Sequence, residues 1–398
     1  MSTTTNDTGR YEIQSVDARG DSLCIGWSDG HESHYPALAL RANCTCEQCG
    51  SYETALRELR LTDIPVDVEI AEAACHGRHL KVVWTPDQHE SLFSMRWLRT
   101  ICNSQAERER RRWRPKFWGK EIEAAPPSMD YQDCVDNELA RLELLELIRD
   151  FGFAVLRNAP TDPDTTEDIA ALVGPLRSSP HGTVHDVRYD PDPEFYANTC
   201  SEILPHSDQA YRHLPPSITC FHFIDAAASG GESTLTDAFR AGADIRQENP
   251  AAYELLGTTP VTFHRRFFRR DKDYRIRAPI MSLDDMGEIA GVRLLDRAIG
   301  PLDAPEDIVL PYYAALRLLL EKLYEPDNQA LVPIATGEVL FFNNHRVLHG
   351  RRAFDPRSGR HMRSCNIELD EFNSSLRFLA GKHGHEGGDM VLPHGALS

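Results

Sequence analysis

His206-Ser207-Asp208 is the only H-x-D triplet in the chain. A histidine and a carboxylate at that spacing can reach one cation together, but seventeen histidines among 61 acidic residues make a single match commonplace. The triplet gains weight from Asn343-Asn344-His345-Arg346-Val347-Leu348-His349-Gly350-Arg351, which follows the strand-like Gly337-Glu338-Val339-Leu340-Phe341-Phe342 and supplies His349 far downstream. Two histidines and one carboxylate make the facial triad that holds Fe(II) with coordination positions left open. Those positions admit a bidentate keto acid and dioxygen. A 2-oxoglutarate cosubstrate also needs a cation for its distal carboxylate, and Arg360 lies eleven residues beyond His349. The turn-forming stretch Phe354-Asp355-Pro356-Arg357-Ser358-Gly359 lets a returning strand bring the guanidinium back, where it can pair bidentately.

Cys44-Thr45-Cys46-Glu47-Gln48-Cys49 is a second candidate centre. Its C-x-C-x-x-C spacing lets three thiolates converge on one ion, and zinc in a closed structural site is the natural occupant. A tetrahedral site needs a fourth ligand. Cys75, His76, His79 and His89 are the downstream candidates, and spacing does not choose among them. The other cysteines, Cys24, Cys75, Cys102, Cys134, Cys200, Cys220 and Cys365, are dispersed as expected of reduced thiols, which points to the cytoplasm.

The elements that must position these groups lie in a chain of 398 residues, a soft prior of two to three domains. The formal charge of −18 disfavours a phosphate-binding surface, so nucleic acid is not an expected partner. No apolar run long enough to span a membrane and no signal peptide is visible, so neither a membrane association nor export is expected. Residues 1–9 are small and polar and read as a disordered lead-in. Residues 10–103 alternate in short runs such as Leu23-Cys24-Ile25-Gly26-Trp27 and Leu80-Lys81-Val82-Val83-Trp84, which reads as a small β-rich domain. Residues 104–130, charged and then rich in Ala and Pro, read as a linker. The catalytic domain, 131–398, opens with a helix from Glu138 to Phe151 and a strand at 152–156. It continues with strands at 217–225 and 338–343 and a helix at 312–324. Many strands with few helices imply a mainly β, α+β double-sheet architecture.

The chain resembles the γ-butyrobetaine hydroxylase branch of the taurine dioxygenase-like Fe(II)/2-oxoglutarate oxygenases over nearly its whole length. The resemblance rests on the cysteine loop, on Trp84-Thr85-Pro86-Asp87-Gln88-His89 running to Trp97-Leu98, and on Phe117-Trp118-Gly119. The helix-strand entry to Phe153, the iron motifs, Pro215-Pro216 and Gly230-Gly231-Glu232-Ser233 complete it. It implies zinc on Cys44, Cys46, Cys49 and His89, and iron on His206, Asp208 and His349. It also implies 2-oxoglutarate held by Arg360 with help from Ser233, a distorted double-stranded β-helix (jelly roll), and a homodimer. In betaine-binding members an aromatic cage encloses the trimethylammonium group. Here Asn198, Gln209 and Asn366 fall where cage tyrosines are expected, and Val184 falls where a tryptophan is expected. The substrate expected is therefore a small polar, zwitterionic or carboxylated molecule without that group, oxidised at an unactivated C–H bond by hydroxylation.

Several readings stand beside this one. Desaturation or cyclisation uses the same chemistry, while a betaine substrate would need a cage rebuilt from Tyr189, Phe195, Tyr196 or Tyr211. A non-enzymatic zinc-dependent binding module is the reading from another class. The basic run Phe263-His264-Arg265-Arg266-Phe267-Phe268-Arg269-Arg270 reads either as an anion-recognition element, with Arg293 as a further candidate, or as a solvated hairpin. The histidine-rich tail from His383 to His394 reads as a flexible terminus.

Overall fold

The computed structural model describes residues 11–179, 182–226 and 229–384. The lead-in 1–9 and the tail beyond Gly384 lie outside the described residues. The chain divides into two compact units, Met1–Arg112 and Trp113–Ser398. No helix among the described residues is long and apolar enough to cross a membrane.

Two three-stranded antiparallel sheets build the first unit. One contains Ile13–Ala18, Ser22–Trp27 and Glu32–Pro36, the other Glu69–His76, His79–Thr85 and Glu90–Ser94. Period-two alternation turns Leu23, Ile25 and Trp27, and likewise Leu80, Val82 and Trp84, into one core with Leu40, Phe93 and Leu98. Both buried indole N–H groups find hydroxyls, Trp27 on Ser33 and Trp84 on Ser91, each at 2.8 Å.

The expected linker 104–130 is ordered structure instead. Ser104 caps the helix Gln105–Arg111, and buried Glu107 pairs with buried Arg99 at 2.9 Å, so the charged run is drawn into the first unit. Further on, Ser128–Asp130 pairs in parallel with Phe153–Arg157 of the second unit. A charged sequence reads as solvated until one of its carboxylates is seen to have a buried partner.

The second unit is built on two sheets. Six strands run in the order Val184–Arg188, His361–Ile367, Ile218–Asp225, Val339–Asn343, Phe153–Arg157 and Ser128–Asp130. Four run in the order Ile203–His206, Val347–Arg351, Ser233–Asp237 and Gln329–Val332. Phe153, Phe223, Leu340, Phe342 and Met362 of the larger sheet meet Leu235, Ala330, Val332 and Val347 of the smaller in a shared core. This is the double-sheet β-helix architecture. The opposite face of the larger sheet, with Ala154, Cys220, Phe341, Cys365 and Ile367, packs against Leu142, Leu145 and Ile148 of Glu138–Phe151 and Phe372 and Leu376 of Leu369–His383. Gly152 ends the first of these helices at φ +80°, where a Cβ would stand 2.7 Å from Val347 Cγ2.

Helix content exceeds the expectation. Ala238–Glu248, Pro250–Thr258 and Glu306–Tyr324 share a further core that includes Leu348 of the smaller sheet. The last of these begins six residues before the expected 312 and carries Pro311 in its second turn.

Candidate functional site

His206 ends the strand Ile203–His206 and is paired directly with His349 on the neighbouring strand, while Asp208 lies in the turn that follows. One ligand atom from each of the three lies within 4.8 Å of the others. Asp208 Oδ1 is 3.7 Å from His206 Nε2 and Oδ2 is 3.7 Å from His349 Nε2. These separations are too long for hydrogen bonds and leave space for a cation between them. His206 Nδ1 sits 3.0 Å from the Leu204 carbonyl, so the Nδ1–H tautomer turns Nε2 to the centre. Burial pushes His206 down to about 4, assisted by His349 and the charge of Arg297, and pushes His349 down to about 3, again with Arg297. Both rings are neutral near pH 7, the form that ligates metal. Phe342 and Phe221 fix the His349 ring at centroid distances of 4.7 and 5.4 Å.

Asn344 holds the triplet from behind. Fully buried, it accepts the Asp208 N–H at Oδ1 (2.7 Å) and donates from Nδ2 to the carbonyls of Asp208 (3.2 Å) and Pro216 (2.9 Å). Nearby, Arg346 forks onto Asp237 at 3.1 and 2.9 Å with both side chains buried, and also donates to the carbonyls of Asp150 and Lys116. Both residues stand inside the run that drew attention to His349. Sequence alone assigned them no role, because a brace and a bystander look alike until the acceptors are placed.

Arg360 precedes the strand His361–Ile367 and is buried with a guanidinium that meets no carboxylate among the described residues. Its side-chain contacts are Met362 Sδ at 3.9 Å and the rings of Phe223 and Phe354 at 5.4 and 5.8 Å. Burial and the charge of Arg351 push it down to about 10, so it remains cationic at neutral pH. A buried cation without a counter-ion is costly, and a dicarboxylate cosubstrate would supply one. Ser233 is buried on the neighbouring strand opposite Arg351, on the same sheet face as Leu235 and its partner His349. The Arg351 guanidinium is engaged with the carbonyls of Ala197 (2.9 Å), Thr199 (2.6 Å) and Ser201 (2.8 Å).

In the first unit the sulfurs of Cys44, Cys46 and Cys49 lie 3.3, 3.6 and 3.6 Å from His89 Nε2. Of the candidates left open by spacing, His89 is the one the fold brings to the loop. Burial and the charge of Arg41 push His89 below its ordinary value, while burial and the adjoining sulfurs push Cys49 up to about 11. Arg41 also pairs with Asp87 at 3.1 Å and donates to Cys49 Sγ at 3.5 Å. The donor set is that of a closed Cys3His zinc site, and a bound dication would deprotonate the thiols.

Residues 110–366 match the taurine catabolism dioxygenase TauD, TfdA family, and residues 15–99 match the gamma-butyrobetaine hydroxylase-like N-terminal family. The chain belongs to the TauD, TfdA family. Gamma-butyrobetaine dioxygenase of Pseudomonas sp. (strain AK-1) is 32% identical over 371 residues, covering 92% of this chain and 96% of the relative. The human protein of that name is 27% identical over 364 residues (89% and 93%), and trimethyllysine dioxygenase of Meyerozyma guilliermondii is 28% identical over 387 (93% and 96%). Among solved structures, PvcB of Pseudomonas aeruginosa matches with a TM-score of 0.45 at 22% identity, covering 58% of this chain and 80% of that one. As a TauD, TfdA family member the chain is an Fe(II)- and 2-oxoglutarate-dependent dioxygenase.

The expected substrate residues fare unequally within this TauD, TfdA fold. Val184 is paired with Cys365, so it points to the helix-covered face of the sheet, away from His206, Asp208 and His349. Asn198 is occupied in its own loop, donating to the Arg188 carbonyl at 2.7 Å. Arg293, expected to meet an anion, is buried and donates to the carbonyls of Ala210 (2.9 Å), Arg212 (2.5 Å) and His213 (3.2 Å); burial pushes it down to about 10. It is a backbone brace beneath the turn that carries Asp208. Gln209 stays beside Asp208 at φ +51°, its Oε1 accepting from Arg212 at 3.2 Å. Asn366 is buried and accepts from Thr219 at 3.1 Å, on the sheet face shared with Phe342 and thus with His349.

The basic run forms the hairpin of Val261–Phe267 and Lys272–Ala278. Arg266 and Arg275 meet Asp273 at 2.8 and 3.0 Å, Arg269 meets Asp192 at 3.0 Å, and Arg270 meets Glu194 at 2.9 Å. Nearby aromatic faces carry arginines: Arg270 over Phe195 (4.7 Å), Arg265 over Phe267 (5.0 Å) and Arg297 over Tyr196 (4.4 Å). Tyr211 is buried edge-on against Phe267.

Proposed function

We propose that this dioxygenase hydroxylates an unactivated C–H bond of a small polar, carboxylated substrate that lacks a trimethylammonium group. His206, Asp208 and His349 hold Fe(II), Arg360 and Ser233 hold 2-oxoglutarate, and Cys44, Cys46, Cys49 and His89 hold a structural zinc. The observation that carries the reading is the convergence of three ligand atoms in the same double-sheet core as a buried arginine that meets no counter-ion among the described residues. When bound, the iron couples oxidative decarboxylation of 2-oxoglutarate by dioxygen to oxidation of the substrate. The chain's own residues do the positioning: Asn344 fixes the Asp208 backbone, Leu204 fixes the His206 tautomer, and Phe221 and Phe342 keep one wall of the centre apolar.

Gln209 and Asn366 support a substrate without the quaternary group, because amides offer hydrogen bonds where a cage would offer ring faces. The arginines over Phe195, Phe267 and Tyr196 support it further, since those faces already carry a cation. The names of the relatives favour a betaine instead, and one panel separates the two readings. Succinate release is measured with 4-aminobutyrate, 4-(dimethylamino)butyrate, γ-butyrobetaine and trimethyllysine, and products are examined by mass. Turnover with the first two above the last two is expected, and preference for either trimethylated compound overturns the substrate reading. A product that gains one oxygen supports hydroxylation, whereas loss of two hydrogens means desaturation or ring closure. A homodimer is part of the reading and is checked by light scattering.

A further inference from the structure

We infer that Arg297, with Arg265 beside it, is the receptor for the substrate's carboxylate at the edge of the iron triplet. The segment before Arg297 runs along the metal-binding turn: Ser207 N–H donates to the Leu294 carbonyl at 2.6 Å, and Leu294 N–H donates to Ser207 Oγ at 3.2 Å. Three residues on, the single turn Asp296–Ala298 buries Ala298 and leaves Arg297 exposed, its guanidinium 4.4 Å over the Tyr196 ring. Its neighbour Asp296 accepts the Arg297 backbone N–H at Oδ1 (2.7 Å) and the Tyr324 hydroxyl at Oδ2 (3.2 Å), so its carboxylate is engaged without pairing with the guanidinium. Arg265 comes to the same place because Phe263 bridges Ile299 antiparallel, with Arg265 two residues after the first and Arg297 two before the second. Arg265 also shares the strand face of buried Phe263 and Phe267, and its charge is felt by Tyr211 together with that of Asp208.

Among the described residues no carboxylate lies within ion-pair distance of Arg265 or Arg297. That sets them apart, in a chain of net charge −18, from Arg266, Arg269, Arg270 and Arg275, all of which take an Asp or Glu. Two guanidinium forks with no carboxylate partner among the described residues, beside the turn that carries Asp208, match a planar oxyanion, and an acidic protein needs such a local positive field to draw an anion in. The role expected of Arg293 thus falls to a different arginine four residues later. A cosubstrate carboxylate is the competing occupant, but Arg360 already offers 2-oxoglutarate a buried cation.

The inference rests on the oxygenase reading, and the experiment keeps the two apart. The full chain is loaded anaerobically with Fe(II) and 2-oxoglutarate, and the visible charge-transfer band is recorded. 4-Aminobutyrate, 4-(dimethylamino)butyrate and γ-butyrobetaine, each as free acid and as methyl ester, are then titrated calorimetrically. At least one acid should bind about tenfold more tightly than its ester, and Arg297→Gln should erase that difference. Arg297→Lys should restore part of it, Arg265→Gln should reduce it, and 2-oxoglutarate affinity should stay unchanged throughout. Equal binding of acid and ester, acid preference that survives Arg297→Gln, no Arg297-dependent binding of any acid, or loss of 2-oxoglutarate affinity in that variant overturns the inference. Failure of the band in the wild type overturns the oxygenase reading itself.

Discussion

Arg360 shows at the scale of one residue how a site can be prepared at a cost to the fold. Its guanidinium is buried between Phe223 and Phe354 and meets no carboxylate among the described residues, so removing it should help the empty protein and harm the loaded one. Arg360→Met is expected to raise the thermal midpoint of the metal-free protein and to abolish the upward shift that 2-oxoglutarate gives the wild type, both read by differential scanning fluorimetry. A variant still stabilised by 2-oxoglutarate as strongly as the wild type would remove Arg360 from the cosubstrate site. The buried imidazoles make the same argument with protons. Burial holds His206 and His345 at about 4 and His349 at about 3, below the value near 6.5 of an unfolded chain. The unfolded state therefore takes up protons first, and the stability present above about pH 6.5 is lost as pH falls toward the folded values, on the order of 2 kcal/mol per ring by about pH 5. Denaturant titrations of the metal-free protein should show the midpoint falling between pH 7 and pH 5; a flat profile would contradict this.

At the scale of elements, the paired strands Ile203–His206 and Val347–Arg351 bring the two histidines together, and the turn after the first must be held for Asp208 to join them. Asn344 does so with three hydrogen bonds, and Asn344→Ala is expected to lower Fe(II) affinity by about tenfold or more while leaving the far-ultraviolet spectrum unchanged. Unchanged affinity, measured by competition with a metal indicator, would reduce Asn344 to a packing residue. The strand Val339–Asn343 that leads toward His349 was legible in the sequence because it is apolar, bounded by turn signals and followed by the chemistry, whereas the strands that carry the histidines, Ile203–His206 and Val347–Arg351, were not. The direction of individual side chains was less legible. Val184 was misassigned because one position of register decides which sheet face a residue occupies, and that register is set by a partner strand more than 170 residues away. Arg293 was misassigned because an arginine in an acidic chain suggests an anion, whereas three backbone carbonyls from a neighbouring turn had already claimed it. The helices Ala238–Glu248 and Pro250–Thr258 escaped notice because their short, Ala- and Gly-containing runs show apolar spacing only once the surfaces they cover are known.

For the whole molecule, the two units have separate cores, and the Cys44, Cys46, Cys49 and His89 cluster belongs to the first alone. Cys49→Ser is expected to release zinc, measured by elemental analysis, and to lower the unfolding temperature of Met1–Arg112 while the iron triplet keeps its affinity. Wild-type zinc content in that variant would contradict the Cys3His assignment. The central claim concerns the second unit and is tested most directly by adding Fe(II) and 2-oxoglutarate without oxygen and recording the visible spectrum. The wild type should develop the metal-to-ligand charge-transfer band of a chelated keto acid, and Asp208→Ala should lose it. A wild type without the band, with iron loading verified, or an Asp208→Ala variant that keeps it at full strength, would contradict the assignment of iron to His206, Asp208 and His349.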